Sequence, residues 1–239
     1  MTATPRPHFT LVSTFSRDRV PQPDGSVVVQ QGGPAHYMGL ALRRLCVPFG
    51  VITGDTAVVE VIPGPDGEKY VIPRLDPIPI PSPLLDDAIV LSPIMREIAP
   101  KSIREARGLL ALDLQGFVRR PGDPAGGFDR NVDLAALLSR ADVIKAAEPE
   151  LAALTTESRE AARSAIVLVT HGDQGASIQH DGRTDRIEAR PVPAPNTIGA
   201  GDTFLSAFIV AILDGSDTVA AGERAARFTE DVLRERLGS

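Results

Sequence analysis

The stretch "APNTIGAGDTFLSAFI", residues 194–209, joins small residues, an acid and a helical pattern. Gly199, Ala200 and Gly201 run directly into Asp202, and apolar residues at helical spacing follow. The first turn of a helix offers backbone N–H groups without intrahelical partners and a partial positive charge. Glycines ahead of that turn let the backbone approach a ligand closely, so the stretch predicts an anion site suited to phosphate.

Asp202 needs a separate explanation because a carboxylate repels phosphate. It is explained if the acid serves a hydroxyl that attacks the phosphate. Asp202 then takes the alcohol proton while the N–H groups of Gly199, Ala200 and Gly201 hold the developing charge. The alternative is structural, with Asp202 as an N-cap or first-turn acid and the glycines as a tight turn. The chain contains neither a Walker A sequence nor a Rossmann glycine fingerprint.

Composition narrows the class of protein. The formal net charge of −6, with scattered Lys and Arg, argues against a nucleic-acid partner. The N-terminal residues lack the apolar core of a signal peptide, and no apolar run approaches the ~18 residues of a membrane span. We therefore expect a cytoplasmic protein with no membrane partner. The single cysteine, Cys46, excludes an internal disulfide. Because it lies in an apolar stretch, it is predicted to be a core thiol.

Alternating strand and helix patterns predict an α/β fold with a mainly parallel central sheet flanked by helices. The apolar runs "AIVLSP", "GLLALDLQG" and "FGVITG" indicate buried strands. Helices are predicted over "NVDLAALLSRA", over "ELAALTTESREAARS", and after Gly33, where Tyr37, Leu40, Ala41 and Leu45 share one face. Antiparallel patterns at about 18–31 and 56–74, the second around a turn at 64–67, predict a small β-flap. We predict a single domain over residues 1–239.

The segment "NTIGAGDTFLSAF" closely resembles the C-terminal signature of the ribokinase-like (PfkB) family of carbohydrate and nucleoside kinases. That signature reads Asp/Asn-Thr-x-Gly-Ala-Gly-Asp and is followed by a helix. "GGPAHYMGLALRRL" resembles the family's N-terminal Gly-Gly stretch, and "VTHGDQG" its Thr-x-Gly-x-x-Gly turn beside the nucleotide. "KAAEPEL" stands where the family has Asn-x-x-Glu. "LLALDLQGFVRR", together with Lys145, resembles the short branch that includes the myo-inositol kinases.

The resemblance implies ATP as phosphate donor and Mg²⁺ as cofactor. It makes Asp202 the general base, with the three residues before it as the anion hole. Lys145 then either touches the ATP phosphates or is a surface lysine. Glu148 either acts on magnesium through water or is a first-turn acid. The remaining donor-side candidates are Thr197, which binds phosphate or is a turn hydroxyl, and His171, Gly172 and Gly175 of the nucleotide turn.

The acceptor side follows the family's N-terminal features. Asp18 matches the acceptor-binding Asp, with a turn carboxylate as the alternative, and Gly32 and Gly33 match the Gly-Gly stretch. The family's Asn after that stretch falls at Tyr37 here, or at His36 if the alignment slips by one, which leaves the acceptor open. Two further candidates, Gln115 and Arg119, follow a strand end, where ligands of open α/β sheets bind. The alternative for Arg119 is a solvated pair with Arg120.

These residues predict an ATP-dependent kinase that phosphorylates a hydroxyl of a small polyol, with a cyclitol such as myo-inositol first. The alternatives are a sugar or nucleoside kinase of the same family and a catalytically silent sugar- or nucleotide-binding sensor. The flap is expected to cover the acceptor. Because an exposed flap edge tends to pair with another strand, a homodimer through the flap is predicted.

Overall fold

The apolar runs of the sequence form the central strands of an eight-stranded sheet, beside which lies a separate four-stranded sheet. The computed structural model describes residues 6–22, 24–62, 69–121, 123, 127–193 and 197–237. The strands are β1 Phe9–Ser13, β2 Ser16–Pro21, β3 Val27–Gly32, β4 Phe49–Ile52, β5 Ala57–Ile62, β6 Lys69–Val71, β7 Leu84–Ser92, β8 Ala106–Asp113, β9 Val143–Ala146, β10 Ile166–Thr170, β11 Ala176–His180 and β12 Arg183–Ile187.

The large sheet has the order β12-β11-β10-β9-β8-β7-β1-β4. Every neighbouring pair from β4 to β10 is parallel, whereas β10, β11 and β12 form an antiparallel meander. This confirms the predicted α/β fold with a mainly parallel sheet. Since parallel strands end at the same edge, residues that follow β1, β8 and β9 meet there.

Helices cover both faces of this sheet. Along β8, Leu110 and Leu112 join the core on one side and Ala111 joins the core on the other, as the twofold alternation of a strand requires. Helices α1, α6 and α7 pack on the Ala111 side, and the shorter helices pack on the opposite side. The helices are α1 Pro34–Arg44, α2 Gln115–Val118, α3 Ala135–Leu138, α4 Glu148–Ala152, α5 Thr156–Ala161, α6 Ala200–Leu213 and α7 Thr218–Glu235. Within the described residues, none of them combines the length and apolar character that crossing a bilayer requires.

The four-stranded sheet, which we call the flap, has the order β3-β2-β5-β6. Its strands β2 and β5 are parallel, and each has an antiparallel partner. Strand β2 begins at Ser16, before the predicted flap segment. The prediction began too late because the apolar signal of this strand is weak: Ser16 and Asp18 face inward, while Arg17 and Arg19 face solvent. The turn predicted at 64–67 lies outside the described residues. That the whole chain is one domain stays a prediction.

Three local predictions were wrong. Leu40 is 45% exposed and Leu45 is only partly buried, whereas Tyr37 and Ala41 are buried as predicted, together with Met38 and Leu42. Strand β4 is at the sheet edge and is only partly buried. The helix predicted after residue 150 is interrupted, because the Thr155 hydroxyl accepts a hydrogen bond from the Ser158 N–H at 3.1 Å and starts a new helix.

Cys46 is exposed, so the prediction of a core thiol was wrong. It has a φ of 56° just after α1. The Cys46 N–H donates to Arg43 O at 3.0 Å, and the Val47 N–H donates to Leu42 O at 2.9 Å. These bonds are those of a Schellman motif, which places Cys46 at the left-handed position and the following apolar residue against the helix. Val47 therefore takes the buried place that the sequence suggested for Cys46.

Candidate active site

The small residues of the quoted stretch form a turn that opens α6. The Ala200 N–H donates to Thr197 O at 3.0 Å, and Gly199 has φ 78° and ψ 5°. These values match the third residue of a type II turn, which requires a positive φ and hence favours glycine. The N–H and the hydroxyl of Thr203 both donate to Gly199 O, at 2.9 and 2.8 Å. The turn is therefore fixed on the helix.

The turn leaves two of the three expected anion-hole donors. The Ala200 N–H is committed to Thr197 O, which corrects the prediction that it would serve an anion. Gly199 and Gly201 remain as candidate N–H donors to an anion, and neighbouring side chains lie close to both. A Cβ on Gly199 would lie 2.1 Å from Tyr37 Cγ, and a Cβ on Gly201 would lie 3.0 Å from Lys145 Nζ. Gly199 thus needs to be glycine, whereas a Cβ at Gly201 would require the Lys145 side chain to shift by a few tenths of an ångström.

Two cavities meet at this turn. The first, which we call the flap cavity, has a volume of about 280 Å³ and lies between the flap and the carboxyl ends of β8 and β9. The second, the hairpin cavity, has a volume of about 410 Å³ and lies between the turn after β10 and helix α7. Both are lined by Thr170, Thr197, Ala200 and Gly201. A molecule in one cavity would therefore face a molecule in the other across the start of α6.

A buried ion pair stands at the floor of the flap cavity. The Nζ of Lys145, at the end region of β9, lies 2.5 Å from Asp113 Oδ2 at the end of β8. Burial alone would lower the pKa of Lys145, but the carboxylates of Asp113, Asp202 and Glu150 together raise it. The ammonium is thus held in its charged form beside the Gly201 backbone, where it can attract an anion.

Asp202 and Glu150 both have strongly raised pKa values. Burial raises the pKa of Asp202 to about 7, while Lys145 acts to lower it and Asp113 acts to raise it. Burial likewise raises the pKa of Glu150 to about 7, with Asp113 acting in the same direction. A carboxyl group with a pKa near neutrality in a cavity is suited to general acid–base work.

The structure brings most of the predicted residues to the two cavities. On the acceptor side, Asp18 is buried and accepts from the Ser16 hydroxyl at 2.6 Å. Arg119 is also buried and donates to Ile94 O at 3.2 Å. The predicted residues that line the flap cavity are Asp18, Gly33, Tyr37, Gln115, Arg119, Lys145, Thr197, Gly199, Ala200, Gly201 and Asp202. Those that line the hairpin cavity are Gly172, Gly175, Thr197, Ala200 and Gly201.

Three predicted residues line neither cavity. Gly32 lies behind Asp18, since a Cβ on Gly32 would be 2.0 Å from Asp18 Oδ2. The His171 Nε2 instead pairs with the Ser177 hydroxyl at 3.0 Å. Glu148 is exposed at the start of α4 and does not reach the flap cavity, which corrects its predicted place in the site.

Sequence reasoning missed Glu150 and Asp113, which both line the flap cavity. Glu150 is 4% exposed, and its Oε2 accepts from the Ala147 N–H at 2.8 Å. The Asn-x-x-Glu spacing fits Ala147 and Glu150 as well as it fits Lys145 and Glu148, which are two residues earlier. Pro149 at the second position of α4 was the available signal, because a proline in the first turn places Glu150 at the third position.

Among the described residues, no group of three or more His, Cys, Asp or Glu side chains could hold a metal ion. Mg²⁺ does not need such a group, because one or two carboxylates plus substrate phosphates and water commonly hold it. Glu150 and Asp113 are the buried carboxylates beside the candidate anion site. The donor set therefore fits a magnesium ion shared with phosphate rather than one caged by protein.

Comparison with known proteins matches residues 100–234 to the pfkB family carbohydrate kinases, so the chain belongs to this family. An inositol 3-kinase of Oryza sativa subsp. japonica is 32% identical over 133 residues, which are 53% of this chain and 33% of that enzyme. The chain thus spans about a third of the length of that relative.

An ATP-dependent ribose-1-phosphate kinase of Halopiger xanaduensis is 29% identical over 91% of this chain and 87% of its own length. A solved pyrophosphate-dependent kinase of the ribokinase family, complexed with a pyrophosphate analogue and myo-inositol, superposes with a TM-score of 0.69 at 20% identity. It covers 96% of this chain and 99% of its own. At that identity the likeness concerns the fold.

Burial of Asp202 gives a test that needs no substrate. Because the pKa of Asp202 is raised to about 7, the folded chain binds more protons than the unfolded chain between about pH 4 and pH 7. The contribution of Asp202 to the free energy of unfolding therefore falls as the pH rises through this window, and Asp202→Asn removes that loss. We expect the Tm of the variant to exceed that of the parent by several degrees at pH 8, on a scale of about 2–4 °C per kcal/mol, and by less at pH 5.

Differential scanning fluorimetry at both pH values measures these Tm differences. The exposed Asp55 supplies the control, since Asp55→Asn removes a carboxylate that lines neither cavity. A Tm difference for Asp202→Asn that is the same at pH 5 and pH 8 would contradict the raised pKa.

Proposed function

We propose that the chain is an ATP-dependent kinase that phosphorylates a hydroxyl of a small uncharged polyol, with a cyclitol such as myo-inositol as the leading candidate. The observation that carries this proposal is the meeting of two cavities at Gly199–Gly201, with the half-buried carboxyl of Asp202 on the flap side. Membership of the carbohydrate kinase family and the partial match to inositol 3-kinases point the same way.

The charges of the flap cavity favour an uncharged acceptor. Its lining holds two cationic side chains, Arg119 and Lys145, against four carboxyl groups, those of Asp18, Asp113, Glu150 and Asp202. Carboxylates accept hydrogen bonds from hydroxyl groups but repel a phosphate. A polyol is therefore preferred to a phosphorylated sugar such as the one named for the Halopiger relative.

The size of the flap cavity supports the same choice. Its volume of about 280 Å³ lies just below the roughly 300–1,000 Å³ typical of sites for drug-sized ligands. A single ring bearing hydroxyl groups suits this space better than a nucleoside. Ordinary sugars remain the second candidate class.

Asp202 is the proposed general base. Its carboxylate takes the proton of the attacking hydroxyl as the new O–P bond forms and the bond to the leaving ADP breaks. The N–H groups of Gly199 and Gly201, together with the Lys145 ammonium, stabilise the negative charge of the transferring phosphoryl group. Because the pKa of Asp202 is about 7, the base form is populated at neutral pH.

The hairpin cavity is the proposed donor site. Its wall combines the Gly172–Gly175 turn with apolar side chains of β12, α6 and α7, among them Ile187, Phe204 and Leu233. An apolar wall of this kind suits a nucleobase, whereas pyrophosphate would leave it unused. ATP is therefore proposed over pyrophosphate, the donor named for the solved myo-inositol complex. Glu150 would help to hold a magnesium ion, which would neutralise negative charge on the donor phosphates.

The flap is the proposed dimer surface. Val27, Val28, Val29, Val58 and Ile62 are each 44–56% exposed on it. An apolar sheet surface of this kind is commonly covered by a partner. We expect a homodimer at micromolar concentration, and Val28→Lys to shift it toward monomer in analytical ultracentrifugation. A monomeric parent protein would rule out pairing through the flap.

Release of ADP or inorganic phosphate across a panel of cyclitols, sugars and nucleosides tests the activity. Each acceptor is tried with ATP and with pyrophosphate. We expect ATP-dependent turnover that is highest with a cyclitol, and a loss of about 10²–10⁴-fold in kcat for Asp202→Asn, as for removal of a general base. If no acceptor is turned over, the proposed function is excluded. If Asp202→Asn turns over at a near-normal rate, Asp202 is not the base.

The two glutamates of α4 form a matched pair for the magnesium role. Glu150→Gln should raise the Mg²⁺ concentration needed for half-maximal activity by about 10–100-fold, the usual cost of losing a group that supports a metal ion. Glu148→Gln should leave that concentration unchanged, because Glu148 is exposed outside the cavity. Magnesium titrations of turnover measure both effects. If Glu148→Gln raised the Mg²⁺ requirement and Glu150→Gln did not, Glu148 would be the magnesium-binding residue.

A further inference from the structure

Arg236, just after α7, contacts the turn that opens α6 without lining either cavity. Its Nη1 donates to Ile198 O at 2.7 Å. Its guanidinium also lies over the ring of Tyr37, 5.4 Å from the centroid. The same Tyr37 ring packs against Gly199, where a Cβ would collide with it. Arg236 therefore holds the Ile198–Gly199 peptide directly through its carbonyl and indirectly through Tyr37.

The orientation of that peptide decides where the Gly199 N–H points. In a trans peptide the C=O and N–H groups point in opposite directions. The Ile198 carbonyl points to Arg236, so the Gly199 N–H points away from Arg236. Gly199 itself lines the flap cavity, so an N–H that points away from Arg236 can serve the candidate anion site.

This peptide has an alternative orientation that the chain could adopt. Type I and type II turns differ mainly by a flip of the peptide between their two central residues, here Ile198 and Gly199. Because glycine accepts positive and negative φ almost equally, Gly199 does not itself choose between them. In the flipped turn the carbonyl, instead of the N–H, would face the anion site and repel a phosphate.

We propose that Arg236 is a positioning residue that locks the Ile198–Gly199 peptide in its anion-binding orientation. The ligand class is the phosphate of the donor, so the inference rests on the proposed function. Arg236 acts through a backbone group and does not touch substrate. Its effect should fall on the rate of transfer more than on the KM of the acceptor, because the peptide serves the transferring charge.

Three arginine variants test the lock in turnover assays. Arg236→Met keeps the aliphatic length of the side chain but loses the hydrogen-bond donor and the cation stacked on Tyr37. It should lower kcat by at least about tenfold. The loss should stay below the roughly 10²–10³-fold cost of removing an anion-hole N–H itself. The acceptor KM should change little. Arg236→Lys keeps a charged donor and should recover most of the loss. Arg234, two residues before Arg236, has a side chain that is 50% exposed and lies near Glu230, so Arg234→Met should behave like the parent.

A second measurement reports the peptide without any activity. Ile198–Gly199 is the only Ile-Gly pair in the chain, so labelling with carbonyl-¹³C isoleucine and ¹⁵N-glycine isolates one amide resonance. In the parent protein that resonance should shift on titration with inorganic pyrophosphate. In Arg236→Met its starting position should move and the pyrophosphate-induced shift should be lost. In Arg236→Lys both should resemble the parent.

The outcomes separate the two proposals. If the parent turns over no acceptor, the proposed function fails, and the amide resonance alone decides the lock. If Arg236→Met matches the parent in kcat, or loses kcat while its Gly199 resonance and pyrophosphate response stay unchanged, Arg236 does not hold the peptide and the inference is overturned.

Discussion

The buried Lys145 ammonium is the charge on which the site depends. The carboxyl groups of Asp113, Glu150 and Asp202 all act on the pKa of Lys145, and without this cation the neighbouring carboxylates would repel one another more strongly. The ion pair with Asp113 ties the ends of two neighbouring strands together. Loss of one partner would leave an uncompensated buried charge, which is strongly destabilising. The cation thus supports both the fold of the sheet edge and the attraction of an anion.

The connectivity of the chain explains why the flap faces the carboxyl ends of β8 and β9. The flap strands follow β1 and β4, two parallel strands that end at the same edge of the sheet as β8 and β9. Both flap hairpins therefore emerge above Asp113 and Lys145, and Asp18 and Val59 come to line the cavity from above. The start of α6 closes the space from the side, and its other flank opens to the hairpin cavity. Two ligands can approach one turn from opposite directions without passing each other.

Much of this arrangement could be predicted from the sequence, and what was missed has physical causes. Asp202 and the glycines were found because a positive-φ turn and a helix start impose a recognisable local pattern. Glu150 was missed because two acids separated by one proline offer two registers, and burial alone distinguishes them. The start of strand β2 was missed because its inward residues, Ser16 and Asp18, are polar and line a cavity rather than a core. The role of Cys46 was misjudged because hydrophobicity does not reveal a helix cap. The lock by Arg236 joins residues 38 positions apart, which no local pattern encodes.

The cap after α1 has a practical consequence. The chain carries one thiol, and that thiol faces solvent at the opposite end of the helix from Gly33 and Tyr37. A maleimide dye would therefore attach at a defined site without entering either cavity. Helix α1 runs from the dye to Gly33 and Tyr37 at the flap cavity, so the fluorescence of the dye would report a change in the position of this helix when a ligand binds. The fold thus supplies a single attachment point for a reporter in solution.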